Sequence, residues 1–310
     1  MHHRRRLATV LLGLAFLGSS AFAADAPAPL EPKPIVPGAE VITLWPAGSP
    51  QLQPDKPGFD QPEKFNYSKN DPTRIQSIVN IHNPSIEVHL APPDKANGCA
   101  IIVAAGGGNT TLNVGGEGVD IAEWLNSLGI SAFIERYRIR PYDSTKDALA
   151  DTQQSFRIVR ANAEKWHIDP HRVGIMGFSA GGEQCGWIEL NFDEGKPDAK
   201  DLIDRQSCRP DFNVMVYAGW RRMDMNKVPA NAPPTFFTCA GLDDTFHAKQ
   251  TVEFYDALFK AKIPVELHIY AHGGHGGGIK PRNGIPFGTW PARFVDWATD
   301  RGLLKKGNAG

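Results

Sequence analysis

The chain is 310 residues long, 41% hydrophobic and 22% charged, a composition that allows one sizeable α/β core with appendages. Its 33 Lys and Arg nearly cancel 34 Asp and Glu, so the concentrated basic surface required by nucleic acid or an anionic membrane is not expected. The expected partner is a small or neutral molecule.

In chain order, residues 1–24 read as a secretory signal: basic His2 to Arg6, apolar Leu7 to Leu17, then small Ala21 and Ala23 ahead of a cleavage point. The apolar run is shorter than the roughly 20 residues that span a bilayer. The mature form is therefore expected off the membrane, in a periplasm or outside the cell, with Arg4-Arg5 leaving a twin-arginine route open. Residues 25–40, containing "DAPAPLEPKPIVP", read as an extended, exposed proline-rich spacer. A single domain is expected over 41–304, opening with an irregular, turn-rich arm to Tyr67 and followed by a tail, 305–310.

Ile75 to Ile81 and Ile86 to Leu90, separated by "HNPS", predict an antiparallel pair at a sheet edge. "CAIIVAA" (Cys99 to Ala105) has the continuous apolar character of a strand buried on both faces. A helix over Val119 to Leu128 and a strand over Ile130 to Tyr137 follow. Ala148, Thr152, Phe156, Val159, Ala163 and Trp166 then recur at helical spacing. Further strands are predicted to end before Gly177 and over Phe212 to Tyr217, Thr235 to Ala240 and Val265 to Tyr270, with helices over Val252 to Lys260 and after Pro291. This alternation predicts a mostly parallel central sheet covered by helices on both faces. Ligands of such sheets bind beyond the carboxyl ends of the strands, where this chain has "GGGN" (Gly106 to Asn109), "GFSAGG" (Gly177 to Gly182), "GLDD" (Gly241 to Asp244) and "HGGHGGG" (His272 to Gly278).

"GFSAG" matches G-x-S-x-G, a sharp strand-to-helix turn that presents a serine hydroxyl. Gly177 and Gly181 would permit the turn, and Gly182 close packing of the helix start. A serine needs a base within hydrogen-bond reach and an acid to orient that base. Ser179 is followed by Asp243-Asp244 after one strand and by His272 and His275 after the next, the order serine, acid, histidine used by α/β-hydrolases. Asp244 is favoured as the acid, with Asp243 read as a cap for the next helix; glycine-flanked His275 is favoured as the base, with His272 in reserve. Backbone N–H groups of Gly107, Gly108 and Ala180 are the candidate oxyanion hole. No lysine and hydroxyl partner follow the glycines as a phosphate loop demands, and His247, His272, His275, Asp243 and Asp244, taken as a zinc cluster, lack zinc-site spacing, so no metal or other cofactor is expected.

Among other residues, Asn109, Trp220 and Arg222 are candidate substrate contacts, Trp220 by stacking and Arg222 by pairing with a carboxylate. Glu135 and Arg138 read as structural ion-pair partners, and Asn191 to Asp211 as a solvated loop lacking calcium-loop spacing. Cys99 and Cys239 read as buried thiols, while Cys185 and Cys208 are left open as a disulfide.

Three blocks, "AGGGNTTLNVGGEGVDIAEWLNSLGISAFIERYR", "GFSAGGEQCGWIELNFDEGKPDAKDLIDRQSCRPDF" and "AGLDDTFHAKQTVEFYDALFKAKIPVELHIYAHGGHGGG", resemble secreted bacterial α/β-hydrolases of the carbohydrate-esterase type, similar to acetylxylan and feruloyl esterases. The resemblance runs from about Ile75 to Trp297. It implies an α/β-hydrolase fold and a serine esterase acting on small esters or oligosaccharide esters of xylan, with Ser179 as nucleophile, Asp244 as acid and His275 as base. Many relatives have proline before the three glycines and an aromatic after them; this chain has Ala105 and Asn109, so the resemblance does not extend to the acyl group. Acetyl is the first expectation. Feruloyl or general carboxylesterase activity, a peptidase of the same fold, and a carbohydrate-binding homologue without turnover are the alternatives.

Overall fold

The computed structural model describes residues 30–219 and 223–305. The signal-like segment 1–24, most of the 25–40 spacer's first half, Trp220, Arg222 and nearly all of the tail lie outside the described residues.

Eight strands make the main sheet: β1 (Glu40–Thr43), β4 (Ser85–His89), β5 (Ala100–Ala104), β6 (Ser131–Arg136), β7 (Val173–Phe178), β8 (Asn213–Val216), β9 (Thr235–Ala240) and β10 (Val265–Tyr270). Their order is β1-β4-β6-β5-β7-β8-β9-β10. Pairing is antiparallel from β1 through β4 to β6 and parallel from β6 onward. Every residue of β5 to β9 is buried, which is why β5 reads as an unbroken apolar run and the others do not alternate between apolar and solvated positions.

Helix α1 (Asp120–Ser127) connects β5 to β6, and α2 (Asp147–Ala161) returns from β6 past β5 to β7. With right-handed crossovers, these opposite steps put α1 and α2 on opposite faces. Helices α3 (Ala180–Leu190) and α4 (Thr245–Lys260) continue in the direction of α2. Helix α5 (Trp290–Asp300) joins α1, where Trp124 meets Trp290 and Phe294 edge-on at 5.6 and 5.4 Å. The reversal of winding at β5 makes the carboxyl ends of β5 and β7 the switch point beside which such sheets bind ligands.

The predicted edge hairpin is not formed. β3 (Ile75–Val79) pairs with β2 (Lys64–Tyr67) in a separate two-stranded sheet, while β4 joins the main sheet between β1 and β6. The "HNPS" segment cannot act as a solvated turn because His82 and Asn83 are buried, His82 bonding the Tyr142 hydroxyl at 2.9 Å. The arm is also less irregular than its turn-rich sequence implies, since it supplies β1 and β2. Two buried arginines at the end of β6 fasten it: Arg136 to Glu63 and the Lys33 carbonyl, Arg138 to the Gln51 carbonyl. Even the proline-rich segment packs at its end, where Ile35 is buried and its N–H donates to Glu87 at 2.5 Å.

Arg138 pairs with Asp151 at 2.7 Å, and Glu135 accepts the Ser155 and Thr152 hydroxyls, so these two residues are not each other's partners. All four cysteines are buried and free; Cys185 and Cys208 are not joined.

Burial pushes the Glu189 carboxyl, ordinarily near 4.5, up to about 8, against the hydroxyl of Thr235 and the amide of Asn213 that favour its charged form. A carboxyl raised on folding stabilises the fold while protonated, fully below about 4.5, and that contribution is lost as pH rises toward 8. Glu189→Gln keeps an acceptor for Asn213 and removes the titration. Its stability in urea is expected to fall less steeply across that window, by about 1.4 kcal/mol per pH unit; a slope equal to wild type contradicts this account of Glu189.

Candidate active site

β7 delivers Ser179 at φ 52°, ψ −115°, a strained conformation between strand and helix that costs on the order of 1–3 kcal/mol. The surroundings over-determine it. The Ser179 N–H donates to the Val216 carbonyl at 3.1 Å, and its own carbonyl accepts from Glu183 and Gly219. A Cβ on Gly181 would lie 1.9 Å from the Ala104 carbonyl oxygen, so only glycine lets the helix start this close to β5.

The loop after β10 brings His275 to this turn. Its Nε2 lies 2.9 Å from Ser179 Oγ, and its Nδ1 lies 2.8 Å from Asp244 Oδ2. Asp244 is buried while the imidazole is partly exposed, its side chain 38% accessible, so the serine end of the chain faces solvent and the acid end does not. Asp244 N–terminates α4, which begins at Thr245, seven residues earlier than the sequence predicts. It makes no side-chain cap because both carboxylate oxygens are engaged: Oδ2 by His275 and Oδ1 by His247 Nδ1 at 2.6 Å. Asp243 does not cap either. It accepts from His272 and the Gly273 N–H, bonds that hold its carboxyl below the usual range. The reserve pair Asp243–His272 thus stands beside the Asp244–His275 pair without joining it.

His247, which the sequence offers only as a member of a metal cluster without zinc-site spacing, is a second imidazole on the same carboxylate. Its ring stacks on His275 at 4.0 Å and 19°, sandwiching the imidazole against α4. The donor atoms of Asp244, His247 and His275 lie within 4.8 Å of one another, close enough to hold a metal ion. Yet both rings point Nδ1 at opposite oxygens of one carboxylate, so a shared ion would replace the two hydrogen bonds that orient them.

The glycine loop after β5 lies against the serine. A Cβ on Gly106 would sit 2.5 Å from the Phe178 carbonyl and 2.9 Å from Ser179 Cβ. The Gly106 N–H is taken by Glu117 at 2.8 Å, but the N–H groups of Gly107 and Gly108 have no partner among the described residues. Ala180 N–H is at the first turn of α3, where helix N–H groups lack internal acceptors. Asn109 is buried, with its Nδ2 donating to Glu183 at 3.3 Å, which fastens the glycine loop to α3. A cavity of about 920 Å³ elsewhere, lined by Leu90, Ala96, Trp166 and Ile168, includes none of these groups.

The strand order and direction are those of the α/β-hydrolase fold. Within that class, residues 86–197 match the BD-FAE family model and 207–301 the prolyl oligopeptidase family model. Among curated proteins, the chain is 31% identical over 219 residues to the acetylxylan esterase of Xylanibacter ruminicola, a match covering 64% of this chain and 43% of that protein. It is 27% identical over 221 residues to endo-1,4-beta-xylanase B of Butyrivibrio fibrisolvens, covering 62% of this chain and 34% of that protein. The chain thus spans less than half the length of these relatives. Among solved structures, an acetyl ester-xyloside bifunctional hydrolase from Caldicellulosiruptor lactoaceticus is 29% identical, with a TM-score of 0.67 over 87% of this chain and 99% of that one. The Lactobacillus plantarum carboxylesterase Cest-2923, at 17% identity and a TM-score of 0.59 over 73% of this chain and 94% of that one, shares the fold.

Proposed function

We propose that the chain is a serine carboxylic-ester hydrolase that removes acetyl groups from xylan fragments. The observation that carries the reading is the continuous Ser179–His275–Asp244 hydrogen-bond chain, beside which the Gly107 and Gly108 N–H groups have no partner among the described residues. The acetylxylan esterase and acetyl ester-xyloside hydrolase among its relatives support the substrate class.

In this reading His275 Nδ1–H donates to Asp244, which leaves Nε2 free to take the proton of Ser179 as its oxygen attacks the ester carbonyl. The carbonyl oxygen becomes an anion held by the N–H groups of Gly107, Gly108 and Ala180. Collapse expels the sugar alkoxide, which receives the proton from His275, and leaves an acyl-serine. Water then attacks with the same base, releasing the acid and restoring the serine. No step calls on a metal. The signal-like residues 1–24 support export, and among the described residues no helix is long and apolar enough to cross a membrane.

Xylan oligosaccharides carrying acetyl or feruloyl groups test the acyl choice. Acetate release is expected to exceed ferulate release by about tenfold or more, a transition-state difference of about 1.4 kcal/mol. Faster ferulate release overturns acetyl as the preferred group. The prolyl oligopeptidase match makes peptide anilides the other comparison; faster cleavage of these overturns the esterase reading itself.

A further inference from the structure

Gly115–Val119, sequence GGEGV, forms a single π-helical turn at the start of α1, a rare geometry that often accompanies functional sites. It drives Glu117 into the interior, where the side chain is buried. Both carboxylate oxygens are used. One accepts the Gly106 N–H at 2.8 Å, and the other accepts the Tyr217 hydroxyl at 2.9 Å. The Tyr217 oxygen in turn accepts the Gly278 N–H at 2.9 Å, and the Gly278 carbonyl accepts from Trp290 Nε1 at 3.1 Å. Tyr217 also lays its ring edge-on to His275, centroids 5.1 Å apart.

Three loops that carry the site therefore meet at one buried carboxylate: the glycine loop after β5, the end of β8, and the histidine loop after β10. Gly106 is clamped from both sides, because its carbonyl accepts the Asn113 N–H at 2.8 Å while Glu117 holds its N–H. With that peptide held, the next two, whose N–H groups are the oxyanion donors in the reading above, have a defined direction. Burying a carboxylate is costly unless its oxygens are hydrogen-bonded, and nothing in the packing of α1 requires an acid here. Burial raises the Glu117 carboxyl from its ordinary value, opposed by the bonds from Tyr217 and Gly106 and by the nearby His275.

We propose that Glu117 is a positioning residue that aims the Gly107 and Gly108 N–H groups at the oxyanion and, through Tyr217, ties that loop to the histidine loop. The inference rests on the esterase reading of Ser179 and acts through it, since Glu117 touches no reacting atom.

The test measures kcat and KM for 4-nitrophenyl acetate, and the inhibition constant of a trifluoromethyl ketone, whose serine adduct carries an oxyanion. Glu117→Met has similar length and no acceptor, so the Gly106 peptide loses its clamp. Its kcat is expected to fall about 100- to 1000-fold, the usual effect of losing one oxyanion donor, with KM within about threefold of wild type. The ketone should weaken by the same factor as kcat. Glu117→Gln can turn its carbonyl to Gly106 and its amide to the Tyr217 oxygen, and should recover kcat to within about tenfold of wild type. Equal kcat in the Met and Gln variants, or a loss confined to KM, overturns the proposal. Tyr217→Phe keeps the buried ring and decides the question if Glu117→Met does not fold: a kcat loss of about tenfold at unchanged KM is expected, and full activity overturns the link. A wild-type protein inactive on the ester would instead overturn the esterase reading, a separable result.

Discussion

Ser179→Ala is expected to lower kcat for acetyl esters by on the order of 10^4- to 10^6-fold while leaving KM near that of wild type. The size follows from what remains. In the proposed mechanism, without the hydroxyl His275 can activate only water and no acyl-enzyme forms, although the N–H groups of Gly107 and Gly108, which have no partner among the described residues, remain to hold the carbonyl oxygen. Those donors and substrate binding alone sustain a small residual rate above the uncatalysed reaction. The fold should tolerate the change, because Ser179 Oγ bonds only His275 among the described residues and alanine keeps the Cβ that Gly106 packs against. Steady-state kinetics with matched unfolding curves make the comparison. Retention of more than about a tenth of the wild-type kcat contradicts a nucleophilic Ser179.

Asp244→Asn is expected to cost about 10^3- to 10^4-fold in kcat, or roughly 4–5.5 kcal/mol of transition-state stabilisation. The carboxylate obliges His275 to carry its proton on Nδ1, leaving Nε2 basic toward the serine. An asparagine can present its amide N–H to Nδ1 and lock the opposite tautomer. Here the conflict is sharpened by His247, since one carboxylate serves two imidazoles through its two oxygens and an asparagine has a single carbonyl for both. Asp243→Asn is the control. That carboxylate is exposed and bonds His272 and Gly273 rather than His275, so its kcat should stay within about threefold of wild type. A larger loss at Asp243 than at Asp244 contradicts this assignment of the acid.

The parallel half of the sheet was legible because β5 to β9 are buried throughout and because glycine-rich or acidic segments follow β5, β7, β9 and β10. β9 and β10 have the bounds predicted for them, Thr235–Ala240 and Val265–Tyr270, and β7 stops one residue before Ser179. The antiparallel edge was not legible, since an apolar run such as Ile75–Val79 does not disclose its partner. That choice was made by the burial of His82 and Asn83 and by the arm that supplies β1 and β2. For the site, chain order and glycine-rich loops pointed to Ser179, Asp244 and His275, three residues that the fold gathers from β7, β9 and β10. The stacking of His247 on His275 was not legible because α4 was expected to start at Val252, which left His247 in a loop with no fixed direction. Glu117 was missed for a related reason: a lone acid in "GGEGV" gives no periodic signal, and only the π turn sends it inward. The one cue was an acidic residue among glycines just ahead of an apolar helix.

The proposed mechanism is tested most directly by reaction with a fluorophosphonate, which requires both an activated serine and a formed oxyanion site. One phosphonyl group per chain, located on Ser179 by peptide mass spectrometry and appearing in step with loss of esterase activity, is the predicted result. Labelling of another residue, or full esterase activity with Ser179 fully modified, would contradict it.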